Sequence, residues 1–129
     1  MWLFTDPEEE SPVHYLHISA RPHHGHTVVC LRGDLDVAGV DDLRRQLRSA
    51  RQAYGEHLIL DLTDLEFMDS QGLSVIIGCY KAVSAAGGSL ALVAPRPIAL
   101  RTLQITGLDR RFAIFNTIEE ASGRPARAT

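Results

Sequence analysis

The first hydrophobic runs of the chain are typical of β-strands. Residues 13–20 and 27–31 are β-rich, and only the six residues 21–26 separate them. A connection this short joins neighbouring strands that run in opposite directions. The ordered part of the chain is therefore predicted to begin with an antiparallel β-hairpin.

Further along, the hydrophobic positions follow the spacing of helices. Two such series predict a first helix that ends at Gly55 and a second that stops at Gly87 and Gly88. Their members are Val40, Leu43, Leu47, Ala50 and Tyr54, followed by Leu73, Ile76, Ile77, Tyr80 and Val83.

Two further helices are predicted from start and stop signals. The run 95–97 carries two prolines and opens a third helix, for which Gly107 is the stop signal. Thr117 as N-cap and Glu120 three residues later form a capping box, which predicts a short terminal helix.

The remaining hydrophobic runs predict three more strands. Residues 57–62 are almost continuously apolar, which suits a central strand covered on both faces. Residues 63–69 are predicted to be a polar loop, and residues 89–94 and 112–116 to be strands. The resulting order is β-β-α-β-α-β-α-β-α, and right-handed β-α-β crossovers make neighbouring strands parallel. We therefore predict an α/β fold, a mixed sheet of four or five strands packed with about four helices.

The length of 129 residues suits one domain. Residues 1–12 are acidic and contain two prolines, so we expect a flexible leader there, with the domain at 13–122 and a frayed tail at 123–129. Hydrophobic residues make up 45% of the chain and charged residues 22%, which is ordinary for a globular protein. The formal charge of -3 argues against direct DNA contact, which requires a basic excess.

The cysteines and the amino terminus indicate a cytoplasmic protein. Cys30 and Cys79 each lie in an apolar run, so both are predicted to be small buried hydrophobes in a reducing compartment. The chain has no positive n-region of a signal peptide and no apolar run that could span a membrane. No membrane association is expected.

Ser70 is the first candidate for chemistry. It lies where the central strand leads through the predicted loop into the second helix, and loops at the carboxyl ends of strands are where partners meet such sheets. A phosphoryl group on Ser70 would face free backbone N–H groups and the positive end of the helix dipole. The alternative is that Asp69 or Ser70 is only an N-cap.

Several elements in the same order resemble the bacterial anti-sigma factor antagonists, which are single STAS domains. The matching elements are residues 33–36 (Gly-Asp-Leu-Asp), 61–62, 67–73 (Phe-Met-Asp-Ser-Gln-Gly-Leu), 88–90 and 105–108, together with Phe112. The resemblance extends from about residue 13 to residue 121. The family usually has Ser or Thr at Gln71 and more often Glu than Asp at Asp34.

The resemblance implies a partner-switching module with a STAS-like fold. Its unphosphorylated form would bind an anti-sigma factor that is a serine kinase, and so free a sigma factor. The kinase would phosphorylate Ser70, and a metal-dependent serine phosphatase would reverse the reaction. The residues implied to contact the partner are Asp34, Asp36, Asp69, Ser70, Gln71 and Gly72. The alternative is a STAS scaffold or sensory module in another phospho-signalling pathway.

Three other functions are less well supported by the residues. A serine hydrolase would need a glycine two residues before Ser70 and a histidine near it. Met68 stands at the first position, and His57, which is the only histidine after residue 26, lies at the start of a strand and away from the loop end. The histidines of residues 23–26 are better explained by a solvated turn than by a metal site. The chain also lacks the glycine-rich phosphate-binding motifs, so we expect no enzyme activity, no cofactor and no metal.

Overall fold

The computed structural model describes residues 15–123, which contain five strands, four helices and two short 3-10 turns. The strands are β1 (Leu16–His23), β2 (His26–Leu35), β3 (His57–Met68), β4 (Ser89–Val93) and β5 (Ala113–Phe115). The helices are α1 (Val40–Tyr54), α2 (Ser70–Ala85), α3 (Pro97–Thr106) and α4 (Ile118–Ala121). The turns are Val37–Gly39 and Leu108–Arg110. The predicted α/β element order is confirmed.

The five strands form one mixed sheet in the order β1-β2-β3-β4-β5. β1 and β2 are antiparallel, whereas every later pair is parallel. The hairpin turn is formed by His24 and Gly25, with φ of 50° and 81°. Positive φ at both central residues is the conformation that follows the twist of two antiparallel strands. The hairpin and the central position of β3 are thus as predicted.

Residues 63–69 are not the polar loop that their composition suggested. β3 continues to Met68, and its second half pairs with β2 through Asp34 opposite Phe67 and Leu35 opposite Met68. β4 pairs only with residues 57–61, so the second half of β3 has a single neighbouring strand in the sheet. Leu65 and Met68 point into the core, while the polar residues of this half of the strand, Thr63, Asp64 and Glu66, face solvent. This half-exposure explains the polar composition.

The core lies mainly between one face of the sheet and the helices α1, α2 and α3. Leu43 and Leu47 of α1, Ile76 of α2 and Leu103 of α3 pack there with the inward side chains of the central strands. Burying such a side chain contributes roughly 1.5–3 kcal/mol. The other face carries a smaller cluster, in which α4 packs beside Val28, Ile59, Val93 and Phe115.

The two cysteines pack against different clusters, Cys79 in the larger core and Cys30 beside the smaller cluster, and they differ in burial. Cys79 of α2 is buried as expected, but Cys30 of β2 is only partly buried, so the prediction for Cys30 was wrong. Burial raises the pKa of the Cys79 thiol to about 11. The pKa of Cys30 is also raised, by its partial burial and then by the nearby Asp61 carboxylate.

Only part of the predicted leader, domain and tail falls within the described residues 15–123. The acidic leader at 1–12 and residues 124–129 of the predicted tail lie outside the described residues, so both remain predictions. The terminal helix begins as its capping box indicates, because the Glu120 amide donates to the Thr117 hydroxyl at 3.1 Å. Within residues 15–123, no helix has the length and apolar character needed to cross a membrane.

Candidate functional site

The ends of β2 and β3 bring the predicted site residues together. Leu35, the last residue of β2, is paired with Met68, the last residue of β3. The Asp69 amide then donates to the Leu35 carbonyl at 3.1 Å. The chain that follows β2 and the start of α2 therefore lie side by side at one edge of the sheet, and this edge is the candidate site.

Asp69 is the N-cap of α2, as one of the two interpretations of this residue predicted. Its Oδ1 accepts hydrogen bonds from the amides of Gln71 (2.9 Å) and Gly72 (3.0 Å), and its carbonyl accepts one from Leu73 (3.0 Å). The expectation that a phosphoryl group on Ser70 would face free amides is therefore wrong for these three. The Asp69 carboxylate already occupies the amides of Gln71 and Gly72 as an N-cap, and the Asp69 carbonyl accepts the Leu73 amide as the first bond of the helix.

Ser70 is the first residue of α2 and is exposed. Its carbonyl accepts a hydrogen bond from the Ser74 hydroxyl at 3.0 Å, whereas its own hydroxyl forms none with residues 15–123. The capping role thus belongs to Asp69 alone. The Ser70 hydroxyl is left accessible to a second protein.

Gly72 and Gln71 differ in exposure. Gln71 faces solvent, but Gly72 is buried, and a Cβ atom there would overlap the side chain of Leu35. Close packing of α2 against the end of β2 therefore explains the glycine, and its predicted contact with a partner remains a prediction.

Asp34 and Asp36 lie at the β2 side of the same edge and are half-buried. The Asp34 amide donates to the Tyr15 carbonyl at 2.9 Å. The Asp36 carboxylate accepts a hydrogen bond from the Ala38 amide at 3.0 Å and so caps the turn Val37–Gly39. Asp36 thus shapes the loop beside Ser70, whatever it contacts in a partner.

Two exposed apolar side chains at this edge were not among the predicted site residues. Val37, directly after Asp36, is 69% exposed, and Phe67, two residues before Asp69, is 40% exposed. Exposed aromatic and aliphatic side chains beside a polar site are typical anchors of protein interfaces. The available signal in the sequence was that Val37 stands just before the helical series and belongs to no strand.

The structure does not support a hydrolase at Ser70. His57 begins β3 and its Nδ1 lies 2.9 Å from the Ser89 hydroxyl. Ser70 follows the other end of that strand, which spans roughly 36 Å from His57 to Met68 at about 3.3 Å per residue. A nucleophile and its base must lie within hydrogen-bond distance.

The histidines of the hairpin also form no recognisable metal site. The Nδ1 of His26 lies 3.2 Å from the carbonyl oxygen of His24, within the turn itself. In the part of the chain that the structure describes, no group of three His, Cys, Asp or Glu side chains is placed to hold a metal ion.

Comparison with known proteins agrees with this architecture. The family model of the STAS domain matches residues 17–121. An anti-sigma F factor antagonist of Paenibacillus polymyxa is 38% identical over 102 residues, which are 78% of this chain and 87% of that protein.

Two solved structures extend the comparison. The crystal structure of an anti-sigma factor antagonist from Mycobacterium paratuberculosis superposes with a TM-score of 0.77 at 25% identity, over 88% of this chain and 96% of the other. The Bacillus cell fate determinant SpoIIAA in its phosphorylated form superposes with a TM-score of 0.63 at 28% identity, over 89% of this chain and 100% of the other. The chain therefore belongs to the STAS domain family of anti-sigma factor antagonists.

Proposed function

We propose that this chain is an anti-sigma factor antagonist switched by phosphorylation of Ser70. The unphosphorylated form binds an anti-sigma factor that is a serine kinase and thereby releases a sigma factor. The kinase transfers the γ-phosphoryl group of ATP to the Ser70 oxygen, ADP leaves, and the hydroxyl proton passes to a base of the kinase. A metal-dependent serine phosphatase resets the switch by hydrolysis. The chain is itself the substrate of both enzymes and catalyses neither step.

The observation that carries the proposal is the exposed, unbonded hydroxyl of Ser70 at the start of α2. The relatives named as anti-sigma factor antagonists and the phosphorylated form of SpoIIAA support this role. The apolar side chains of Val37 and Phe67 provide the adjoining surface that a protein partner would bury. The partner contacts are proposed for Asp34, Asp36 and residues 69–72.

The switch is expected to act through charge. A phosphoserine adds about -1.5 to -2 charges at neutral pH. Asp69 precedes Ser70, and its carboxylate already accepts the hydrogen bonds of the Gln71 and Gly72 amides. These two donors are therefore not available to neutralise the charge of a phosphoryl group on Ser70. Burying an unmatched charge in an interface costs several kcal/mol, and each ~1.4 kcal/mol is tenfold in affinity. The partner is therefore released while the fold persists.

Calorimetry with the serine kinases encoded in the same genome tests the proposal. Ser70→Ala should bind the kinase but accept no phosphate, whereas Ser70→Asp and Ser70→Glu should bind at least about tenfold more weakly with an unchanged circular dichroism spectrum. Ser84→Asp adds the same charge at an exposed position near the other end of α2 and should bind like the wild type.

Intact mass after incubation with ATP provides the second measurement. The wild type should gain one phosphoryl group and Ser70→Ala none. Phosphate found on Ser70→Ala, for instance at Ser74 or Thr63, would refute the assignment of the acceptor. Binding to a partner that is neither an anti-sigma factor nor a kinase would favour the alternative, a STAS scaffold or sensory module in another phospho-signalling pathway.

A further inference from the structure

We infer that the groove between α1 and α2 is a second docking surface, which binds an acidic helical segment of the same kinase partner. The inference rests on the proposed function and extends the interface beyond Ser70. The groove has a volume of about 300 Å³. Its walls include Arg44, Arg48 and Arg51 of α1 and Ser74, Gly78 and Cys79 of α2.

The charge of the groove is opposite to that of the chain. The helices α1 and α2 together contain four Arg and one Lys but only two acidic residues, Asp41 and Asp42, although the whole chain has a formal charge of -3. Such a local basic surface on an acidic protein attracts a partner of opposite charge and fixes its orientation. Negative carboxylates are the complementary groups.

The three arginines of the groove differ in whether they already form ion pairs within the chain. Arg44 pairs with Asp41 at 3.0 Å and Arg51 with Glu56 at 2.6 Å. Arg48, between them on α1, is exposed and forms no ion pair or hydrogen bond with any residue of 15–123. Its guanidinium can therefore bind a carboxylate of a partner without breaking an existing ion pair. A planar guanidinium donates two hydrogen bonds to a carboxylate.

The wall of the groove that α2 forms carries uncharged residues, several of them small. Gly78 is exposed in the middle of α2, and a Cβ atom there would meet no other atom within 4 Å. Glycine at a helix interior costs about 0.5–1 kcal/mol relative to alanine, and internal packing gives no reason for it here. Cys79 beside it is buried and its thiol is protonated at neutral pH. This wall suits close contact with apolar side chains.

The position of the groove connects it with the Ser70 site. Ser74 lines the groove, and its hydroxyl donates to the Ser70 carbonyl one helical turn away. A partner that covers Ser70 thus has the groove directly beside it. A whole helix is about 10–12 Å wide, so the partner helix would lie over the groove and insert side chains, with its carboxylates facing Arg48.

Two substitutions of different kinds test the groove in the full-length chain. Arg48→Glu reverses the unpaired charge, and Gly78→Leu fills the groove while improving the helix propensity of α2. Calorimetry with the kinase should show at least about tenfold weaker binding for each. Arg45→Glu and Ser84→Leu are the matched controls, since both residues are exposed on the same helices outside the groove, and they should bind like the wild type.

Two further measurements distinguish a loss of kinase docking from a loss of the phosphate acceptor Ser70. With Arg48→Glu, phosphorylation of Ser70 at saturating kinase should proceed at the wild-type rate, because the serine is untouched. The affinity of Arg48→Glu should also fall less steeply with added salt, since one charge contact is lost.

The possible results distinguish this inference from the proposed function. If both groove variants bind the kinase as tightly as the wild type, the inference is wrong and the role of Ser70 stands. If no serine kinase binds or phosphorylates the wild type, the proposed function falls and the inference falls with it. If Arg48→Glu abolishes binding of a single-stranded oligonucleotide but leaves kinase binding unchanged, the groove is a nucleic-acid site, which also overturns the inference.

Discussion

Gly72 lies directly against Leu35: a Cβ atom at position 72 would overlap the Leu35 side chain and lie 3.1 Å from its carbonyl oxygen. The same carbonyl accepts the hydrogen bond of the Asp69 amide. The first turn of α2 is therefore seated on the last residue of β2. This contact fixes Ser70 relative to the loop that carries Asp36 and Val37.

Gly72→Ala is expected to destabilise the fold by roughly 1–3 kcal/mol, because the overlap with Leu35 forces either α2 or β2 to move. Gly78→Ala is the matched control on the same helix. It should stabilise the fold by about 0.5–1 kcal/mol, since the site is open and alanine is the better helix former. Urea unfolding followed by circular dichroism measures both. Equal stability of the two variants would contradict the close contact.

The helices were predictable because their signals are local. The periodic series of α1 and the capping box of α4 each specify one element without reference to the rest of the chain. The second half of β3 was not predictable in this way, because its strand conformation depends on pairing with β2 about thirty residues earlier in the sequence. Its polar residues face solvent, so its composition is that of a loop.

The candidate site also combines a feature that the local sequence predicts with features that depend on the packing of the whole chain. The N-cap at Asp69 follows from a local preference. The exposure of Val37 and Phe67 does not, because an apolar residue in a sequence is buried by default and its exposure is known only when the packing is. Occupation of the Gln71 and Gly72 amides by the Asp69 carboxylate likewise depends on side-chain geometry that the sequence does not contain, so the expectation of free amides was wrong there.

Removing the cap of α2 should weaken the fold measurably. Asp69→Ala loses the hydrogen bonds to Gln71 and Gly72 and should cost about 1 kcal/mol in the free energy of unfolding. Asp69→Asn keeps an acceptor oxygen and should cost much less. Denaturant unfolding compares the two, and an equally large loss in Asp69→Asn would mean that the negative charge, rather than the hydrogen bonds, stabilises the helix.

The exposed apolar residues beside Ser70 should matter for binding more than for stability. Val37→Ser and Phe67→Ser are each expected to weaken kinase binding at least about tenfold, because interface anchors contribute about 2 kcal/mol or more. Their effect on unfolding should be within about 0.5 kcal/mol for Val37→Ser and somewhat larger for the less exposed Phe67→Ser. Tyr54→Ser, at the far end of α1, is the control and should not change binding. Wild-type affinity in both site variants would remove this edge from the interface.

The two thiols should differ in reactivity. Cys30 is partly exposed and Cys79 is buried, and burial raises the pKa of both, so little thiolate is present at neutral pH. A thiol reagent should modify the native chain slowly and at Cys30 first. Peptide mapping after brief labelling identifies the site, and Cys30→Ser should abolish the early reaction. Preferential labelling of Cys79 would show that the region between α1 and α2 opens.

The buried thiol of Cys79 also predicts how stability depends on pH. Its pKa rises from a usual value of 9.0 to about 11 in the folded chain, so the unfolded chain loses this proton first as the pH rises. The contribution of this group is therefore fully present below pH 9.0 and is lost as the pH rises towards about 11. Cys79→Ala leaves a cavity and should be less stable at neutral pH, but its stability should fall less steeply than that of the wild type over this alkaline interval. Urea unfolding of both proteins at a series of pH values measures the difference, and parallel curves would mean that the thiol ionises equally easily in the folded and unfolded chains.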